Sequence, residues 1–120
     1  MPHILLVEDS HLISDALRVL FEETGHQVTI AATAAEAIDA ASTFPPDIML
    51  LDLGLPDADG LSVLDELVVR GMAPKCTVAL TGDGDEATIQ RCKVAGCHDV
   101  LLKPVSPKAL LVKIEEWTGG

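Results

Sequence analysis

The sequence predicts a doubly wound α/β fold, a five-stranded parallel sheet with helices on both faces. Short uninterrupted apolar runs alternate with stretches of helical periodicity along the whole chain. The connections between them are short, so right-handed crossovers must lay each helix back on the sheet. The 120 residues make one domain, residues 1–120, and 48% hydrophobic against 22% charged residues is the balance of a chain that folds.

Residues 4–7 form an apolar run too short for a helix and bounded by Glu8 and Asp9, which suits a strand buried on both faces. Leu12, Ile13, Ala16, Leu17, Leu20 and Phe21 then repeat at the spacing of one helix face, with Asp9 or Ser10 able to cap the start and Gly25 placed to end it. Residues 27–31 alternate polar and apolar side chains, as a half-covered edge strand does. Thr33 and Glu36 have the form of a capping box, and the Ala-rich segment to Ser42 is a second helix. Pro45 and Pro46 break the chain before residues 47–53, whose centre at 48–51 is the strongest buried-strand run.

Gly54, Pro56 and Gly60 mark a turn region, after which Leu61, Leu64 and Leu67 begin a helix that Gly71 can close. Residues 76–80 read as the fourth strand, followed by a loop from Thr81 to Gly84 and a weaker helix over 85–95, stopped by Gly96. Residues 100–102 are the fifth strand. Ser106 and Pro107 start a last helix with Leu110, Leu111, Ile114 and Trp117 on its inner face. Gly119 and Gly120 fit either the start of a linker or a frayed end.

Composition excludes several functions. Eight Lys and Arg against 19 Asp and Glu give a formal charge of −11, which repels phosphate backbones and anionic lipid. Aromatic residues are 2% of the chain, too few for a base-stacking surface, so neither direct nucleic-acid nor membrane binding is expected. No apolar run approaches the roughly 20 residues of a membrane span. Residues 1–9 lack the basic region of a secretory signal, so the expected compartment is the cytoplasm. Cys76, Cys92 and Cys97 read as free, small buried residues. A metal cluster from Cys92, Cys97 and His98 lacks a fourth ligand and a paired Cys-x-x-Cys spacing.

In open parallel sheets the chemistry lies outside the carboxyl ends of the strands. Here those ends carry Glu8 and Asp9, Asp52, Thr81 and Lys103. Three carboxylates in one crevice repel one another unless a cation neutralises them. Oxygen-only ligands favour Mg²⁺, which characteristically keeps positions free for water or phosphate oxygens. With the Lys103 ammonium and the Thr81 hydroxyl, the set has the parts that stabilise in-line phosphoryl transfer, and an Asp can itself be the nucleophile.

The segments 7–10 (VEDS), 50–60 (LLDLGLPDADG), 79–82 (ALTG) and 101–104 (LLKP), at the ends of four expected strands, resemble the motifs of the response-regulator receiver domain of two-component signalling, the CheY-like superfamily. The resemblance implies a flavodoxin-like sheet in order 2-1-3-4-5. It implies Asp52 as phosphoacceptor, Glu8 and Asp9 helping Asp52 to hold Mg²⁺, and the backbone carbonyl of Gly54 as a further metal ligand. It also implies Thr81 as the switch hydroxyl, Lys103 as the phosphate partner and a cis peptide before Pro104. The phosphoryl group would come from a histidine kinase or histidine phosphotransfer protein. The responding surface would be the fourth helix, fifth strand and fifth helix, including Arg91, Lys93, Val100 and Lys108; the output partner and the oligomeric state are left open.

One position departs from the family pattern. Receivers commonly carry a Tyr or Phe three residues before the lysine, and here that residue is Val100. With no ring to swing, signalling would run through backbone shifts after Thr81 or through another surface.

Each residue also has a plainer reading. One of Glu8 and Asp9 could only cap the first helix, with Asp9 the stronger candidate for direct metal contact; Thr81 alone is an ordinary turn residue and Lys103 alone a surface lysine. Asp57, Asp59, Gly60 and Glu66 fall on an EF-hand calcium pattern, but its first position is Leu55 and a buried strand precedes the loop. Asp83 and Asp85 are expected as caps of the fourth helix. Two other functions share parts of the chemistry. A Mg²⁺-dependent phosphatase or phosphotransferase with an aspartyl nucleophile would want a second Asp two positions on, where Gly54 stands, and a cap domain. A flavin module fits neither the aromatic-poor composition nor the acidic crevice.

Overall fold

A computed structural model describes residues 2–118; Gly119 and Gly120, read above as a linker start or a frayed end, lie outside the described residues. Five strands, β1 (His3–Val7), β2 (Gln27–Ala31), β3 (Ile48–Asp52), β4 (Cys76–Thr81) and β5 (Asp99–Leu102), alternate with five helices, α1 (His11–Glu23), α2 (Ala34–Thr43), α3 (Leu61–Val69), α4 (Glu86–Ala95) and α5 (Pro107–Thr118). All pairings are parallel and the order is β2-β1-β3-β4-β5, the order that the resemblance implies.

The period of two along each strand builds two cores. Ile4, Leu6, Ile48, Leu50, Val78 and Leu80 face one way, against Leu17 and Phe21 of α1 and Leu110 and Ile114 of α5. Leu5, Val7, Met49 and Leu51 face the other way, against Ala37 and Ala41 of α2 and Val63, Leu64 and Leu67 of α3. The alanines of α2 let that helix lie close to the sheet. By contrast, α4 buries only Cys92 and is the helix least tied to the core.

Caps set most helix ends. Ser10, rather than Asp9, accepts the Ile13 amide at the start of α1. Thr33 accepts the Glu36 amide at 3.1 Å, but the Glu36 carboxylate returns to the Thr33 hydroxyl at 3.1 Å and not to the backbone of a full capping box. The start of α2 takes a second cap from elsewhere in the chain, described below. Gly96 closes α4 at φ 106°, a left-handed conformation that a side chain would strain, with its amide on Lys93 and that of Cys97 on Cys92.

Strand ends shift from the sequence reading by a residue or two. β1 begins at His3, whose amide donates to Asp47 at 2.8 Å, and β5 begins at Asp99. β4 continues through Thr81, which pairs in register with Leu102, so Thr81 is a strand residue and not the first residue of the loop. The Lys103–Pro104 peptide is cis. All three cysteines are free, and His98 Nδ1 accepts the Thr77 amide at 3.2 Å, which turns that ring to β4. Trp117, at the end of α5, lies at the amino-terminal edge of the sheet in a cleft with Ile48, Cys76 and His98.

Gly60, just before α3, has an ordinary helical φ of −54°, so the backbone alone does not demand glycine. Space does: a Cβ there would stand 2.3 Å from the Asp52 carbonyl oxygen and 2.7 Å from the Leu53 Cα. Gly60→Ala is expected to cost about 1–3 kcal/mol, the usual cost of forcing an extra methyl into a packed site, measured as a lowered urea midpoint with unchanged slope.

Candidate functional site

The parallel register brings the carboxyl ends of the central strands level, with Val7 opposite Leu51 and Asp52 opposite Leu80. Glu8 continues β1, its amide on the Ala31 carbonyl at 2.9 Å, and Asp9 follows at the mouth of the crevice. One carboxylate oxygen from each of Glu8, Asp9 and Asp52 lies within 4.8 Å of the others. Among the described residues this is the only group of three or more His, Cys, Asp or Glu with such spacing. Glu8 and Asp52 are buried, at 2% and 3% exposure, whereas Asp9 is exposed.

Lys103 answers this charge. Its Nζ stands 2.9 Å from Asp52 Oδ2 and 3.2 Å from Glu8 Oε1. The Gly54 amide donates to Asp52 Oδ1 at 3.0 Å, and the Ser10 amide to Glu8 Oε2 at 3.2 Å. Glu8 Oε1 is buried and receives no aligned hydrogen bond; the nearby ammonium is an ion pair only. A buried carboxylate oxygen left in this condition is costly. Burial, then Asp52, pushes the Glu8 carboxyl above the usual range, against the Ser10 amide and Lys103. Burial pushes Asp52 the same way but is outweighed by Lys103, the Gly54 amide and Glu8, which hold it below the usual range. Burial would lower Lys103, yet the two acids raise it. Of the two, Glu8 is therefore the one that takes a proton first as pH falls, and Asp52 keeps its charge to lower pH.

Three carboxylates against one ammonium leave an excess of negative charge, and the orphaned Oε1 lacks a partner. Both features fit a hard divalent cation with oxygen ligands. Gly54 lies two residues past Asp52, and an antiparallel bridge from Gly54 to Asp59 folds the intervening loop back on itself.

Thr81 sits on the next strand, but its hydroxyl does not join the acids. It accepts the Asp83 amide at 3.0 Å and donates to the Asp83 carbonyl at 3.3 Å. Asp85 caps α4 through the Thr88 amide at 2.7 Å, whereas Asp83 accepts the Asp85 amide at 3.2 Å and so shapes the loop and not the helix end.

The EF-hand acids diverge. Asp57 accepts the Ala34 and Ala35 amides at 2.8 and 3.1 Å, capping α2 from across the chain. Asp59 pairs with Arg91 of α4 and caps α3 through the Leu61 amide, and Glu66 pairs with Arg70. Neither the Asp57 cap nor the Asp59–Arg91 pair was signalled by the sequence, since each joins residues more than 20 positions apart. The nearby Thr33 cap in fact concealed the first. Val100 packs against the cluster of Leu61, Ala79 and Cys92.

Comparison with known proteins agrees with this fold. The family model described as the response regulator receiver domain matches residues 4–115. The chain is 35% identical over 114 residues to the transcriptional regulatory protein KdpE of Mycobacterium tuberculosis, covering 95% of this chain and 50% of that protein. It thus spans about half the length of the KdpE relatives it matches. It is 29% identical over 120 residues to the polar-differentiation response regulator DivK of Brucella ovis, covering 97% of this chain and 95% of that protein. A CheY-like response regulator receiver domain protein from Methanospirillum hungatei superposes with a TM-score of 0.88 at 31% identity, over 97% of this chain and 92% of that one. A two-component response regulator from Clostridium difficile reaches 0.92 at 23% identity, over 99% and 97%, a likeness of fold.

Two outcomes follow from the electrostatics. Lys103→Met strands two buried acids, so the metal-free protein is expected to lose about 1–3 kcal/mol at neutral pH, below the cost of breaking a fully buried pair because the lysine is partly exposed. Urea titrations are expected to show a smaller loss at mildly acid pH, where Glu8, the acid held above the usual range, takes up a proton. The Ala34 and Ala35 amides hold Asp57 below the usual carboxylate range, burial opposing. Its stabilisation of α2 is therefore present at neutral pH and is lost as pH falls through that lowered value. Amide exchange of Ala34 and Ala35 is expected to quicken in Asp57→Ala at neutral pH, and the difference from the parent chain to fade in acid.

Proposed function

Because this chain belongs to the response regulator receiver domain family, whose members are signalling switches that receive signals from histidine kinases, we propose that it takes a phosphoryl group on Asp52 and uses it to select between two conformations. The observation that carries the reading is the buried Asp52 between the Lys103 ammonium and the Gly54 amide, beside two further acids.

The donor is a phosphohistidine of a histidine kinase or histidine phosphotransfer protein. Its N–P bond breaks as the bond from Asp52 to phosphorus forms, and the acyl phosphate is later cleaved by water. Asp52 enters as the carboxylate because Lys103 and the Gly54 amide keep it ionised. Lys103 then remains beside the phosphoryl oxygens and offsets the charge that builds there. Glu8, Asp9, Asp52 and the Gly54 carbonyl are the groups that would hold Mg²⁺, which when bound neutralises the acids and the phosphoryl oxygens. The new group adds about −1.5 to −2 charge. Thr81 leaves Asp83 to donate its hydroxyl to a phosphoryl oxygen, and the loop before α4 follows. The surface of α4, β5 and α5, with Arg91, Lys93, Val100 and Lys108, is where a partner would read the change.

A protein donor also has room to approach. A groove of about 450 Å³ runs beside Lys103 between α1 and the start of α5, lined by Leu12, Ile13, Pro104 and Val105. No helix among the described residues is long and apolar enough to cross a membrane, and we place the switch in the cytoplasm.

Incubation with Mg²⁺ and acetyl phosphate is expected to add the mass of one phosphoryl group. Asp52→Ala is expected to abolish the addition and chelation of Mg²⁺ to prevent it. A parent chain that gains no mass under these conditions would refute the assignment.

A further inference from the structure

We propose that Leu102 is a positioning residue for this switch: it braces the loop between β4 and α4 so that the Thr81 hydroxyl stays on Asp83 until a phosphoryl group competes for it. The inference rests on the phosphoacceptor reading and names a residue through which that site is regulated.

Val100 cannot serve as a moving reporter. It is short and β-branched, with a stiff first torsion, and is held against Leu61, Ala79 and Cys92. Two residues on, and so on the same face of β5, stands Leu102. It is 57% exposed and pairs in register with Thr81, while the next residue, Lys103, donates its amide to the Thr81 carbonyl at 2.8 Å. The other part of its side chain is spent on the loop. A Cβ on Gly84 would lie 2.7 Å from Leu102 Cδ2 and 3.1 Å from Cδ1, so the leucine already fills the space above that glycine.

Residues 81–85 form one connected turn. Thr81 holds both backbone groups of Asp83, Asp83 holds the Asp85 amide, and Asp85 caps α4. The Thr81 hydroxyl cannot leave Asp83 without freeing the segment that leans on Leu102. Shortening Leu102 removes the support of the resting arrangement only, so the engaged arrangement gains population.

The test uses beryllofluoride with Mg²⁺ as the phosphoryl mimic on this chain, with binding followed by amide NMR shifts. Leu102→Ala is expected to lower the midpoint about threefold, the size that residues in contact typically show. In a Thr81→Ala background the same substitution is expected to change nothing, because the hydroxyl it acts through is gone. Gly84→Ala drives a methyl into Leu102; it is expected to shift the midpoint in the same direction and to lose that effect once Leu102 is Ala. Equal shifts with and without the Thr81 hydroxyl, additive effects of positions 84 and 102, or no shift in either variant would each overturn the proposal. A parent chain that fails to bind the mimic would overturn the phosphoacceptor reading with it, whereas normal binding with no Leu102 effect would leave that reading standing.

Discussion

The contact of one ammonium with two buried carboxylates governs the rest of the structure. Glu8 and Asp52 come from strands far apart in sequence, and each is almost wholly removed from water. Charges placed so are tolerable only when something opposite in sign is fixed beside them, and Lys103 does this from the end of a third strand. The arrangement is incomplete by design: Glu8 Oε1 keeps no aligned donor and the exposed Asp9 adds a further negative charge. A pocket held short of neutrality is a pocket ready for a cation. The two buried acids are not equivalent, since the better-paired Asp52 is held below the usual carboxylate range and Glu8 above it.

Much of this was legible in the sequence, for local reasons. A strand buried on both faces has to be a continuous apolar run, so residues 4–7 and 48–51 announced themselves, and the acids that end such runs had to lie on one edge once the strands were parallel. Ser10 and Thr33 could be read as caps because a cap and its helix are neighbours in the chain. The cis peptide at Pro104 and the strand order came from family resemblance, and the structure has both.

What the sequence hid is tertiary. Asp57 stood out in the sequence only as part of an incomplete calcium-loop pattern, yet it serves a helix that starts 23 residues earlier. Asp59 reaches Arg91 across 32 positions, and the glycine at 60 is required by a backbone carbonyl that only the folded chain brings near. Thr81 was placed at the right strand end, but its hydroxyl direction is set by the loop that follows and not by the strand that carries it. The loop after Asp52 is thereby anchored on both sides, by Asp57 to α2 and by Asp59 to α4. The loop after Thr81 relies instead on a half-exposed leucine and on a helix with a single buried residue, so structural compliance is concentrated on one side of the crevice.

The position of Trp117 has a spectroscopic consequence. It is the sole tryptophan, there is no tyrosine, and it sits at the end of the sheet opposite the acids. Strands of five residues separate the two ends by about 16 Å. Ultraviolet emission from this protein is thus a report on the integrity of its floor, and an observer who wants to see events at its rim must install a fluorophore there.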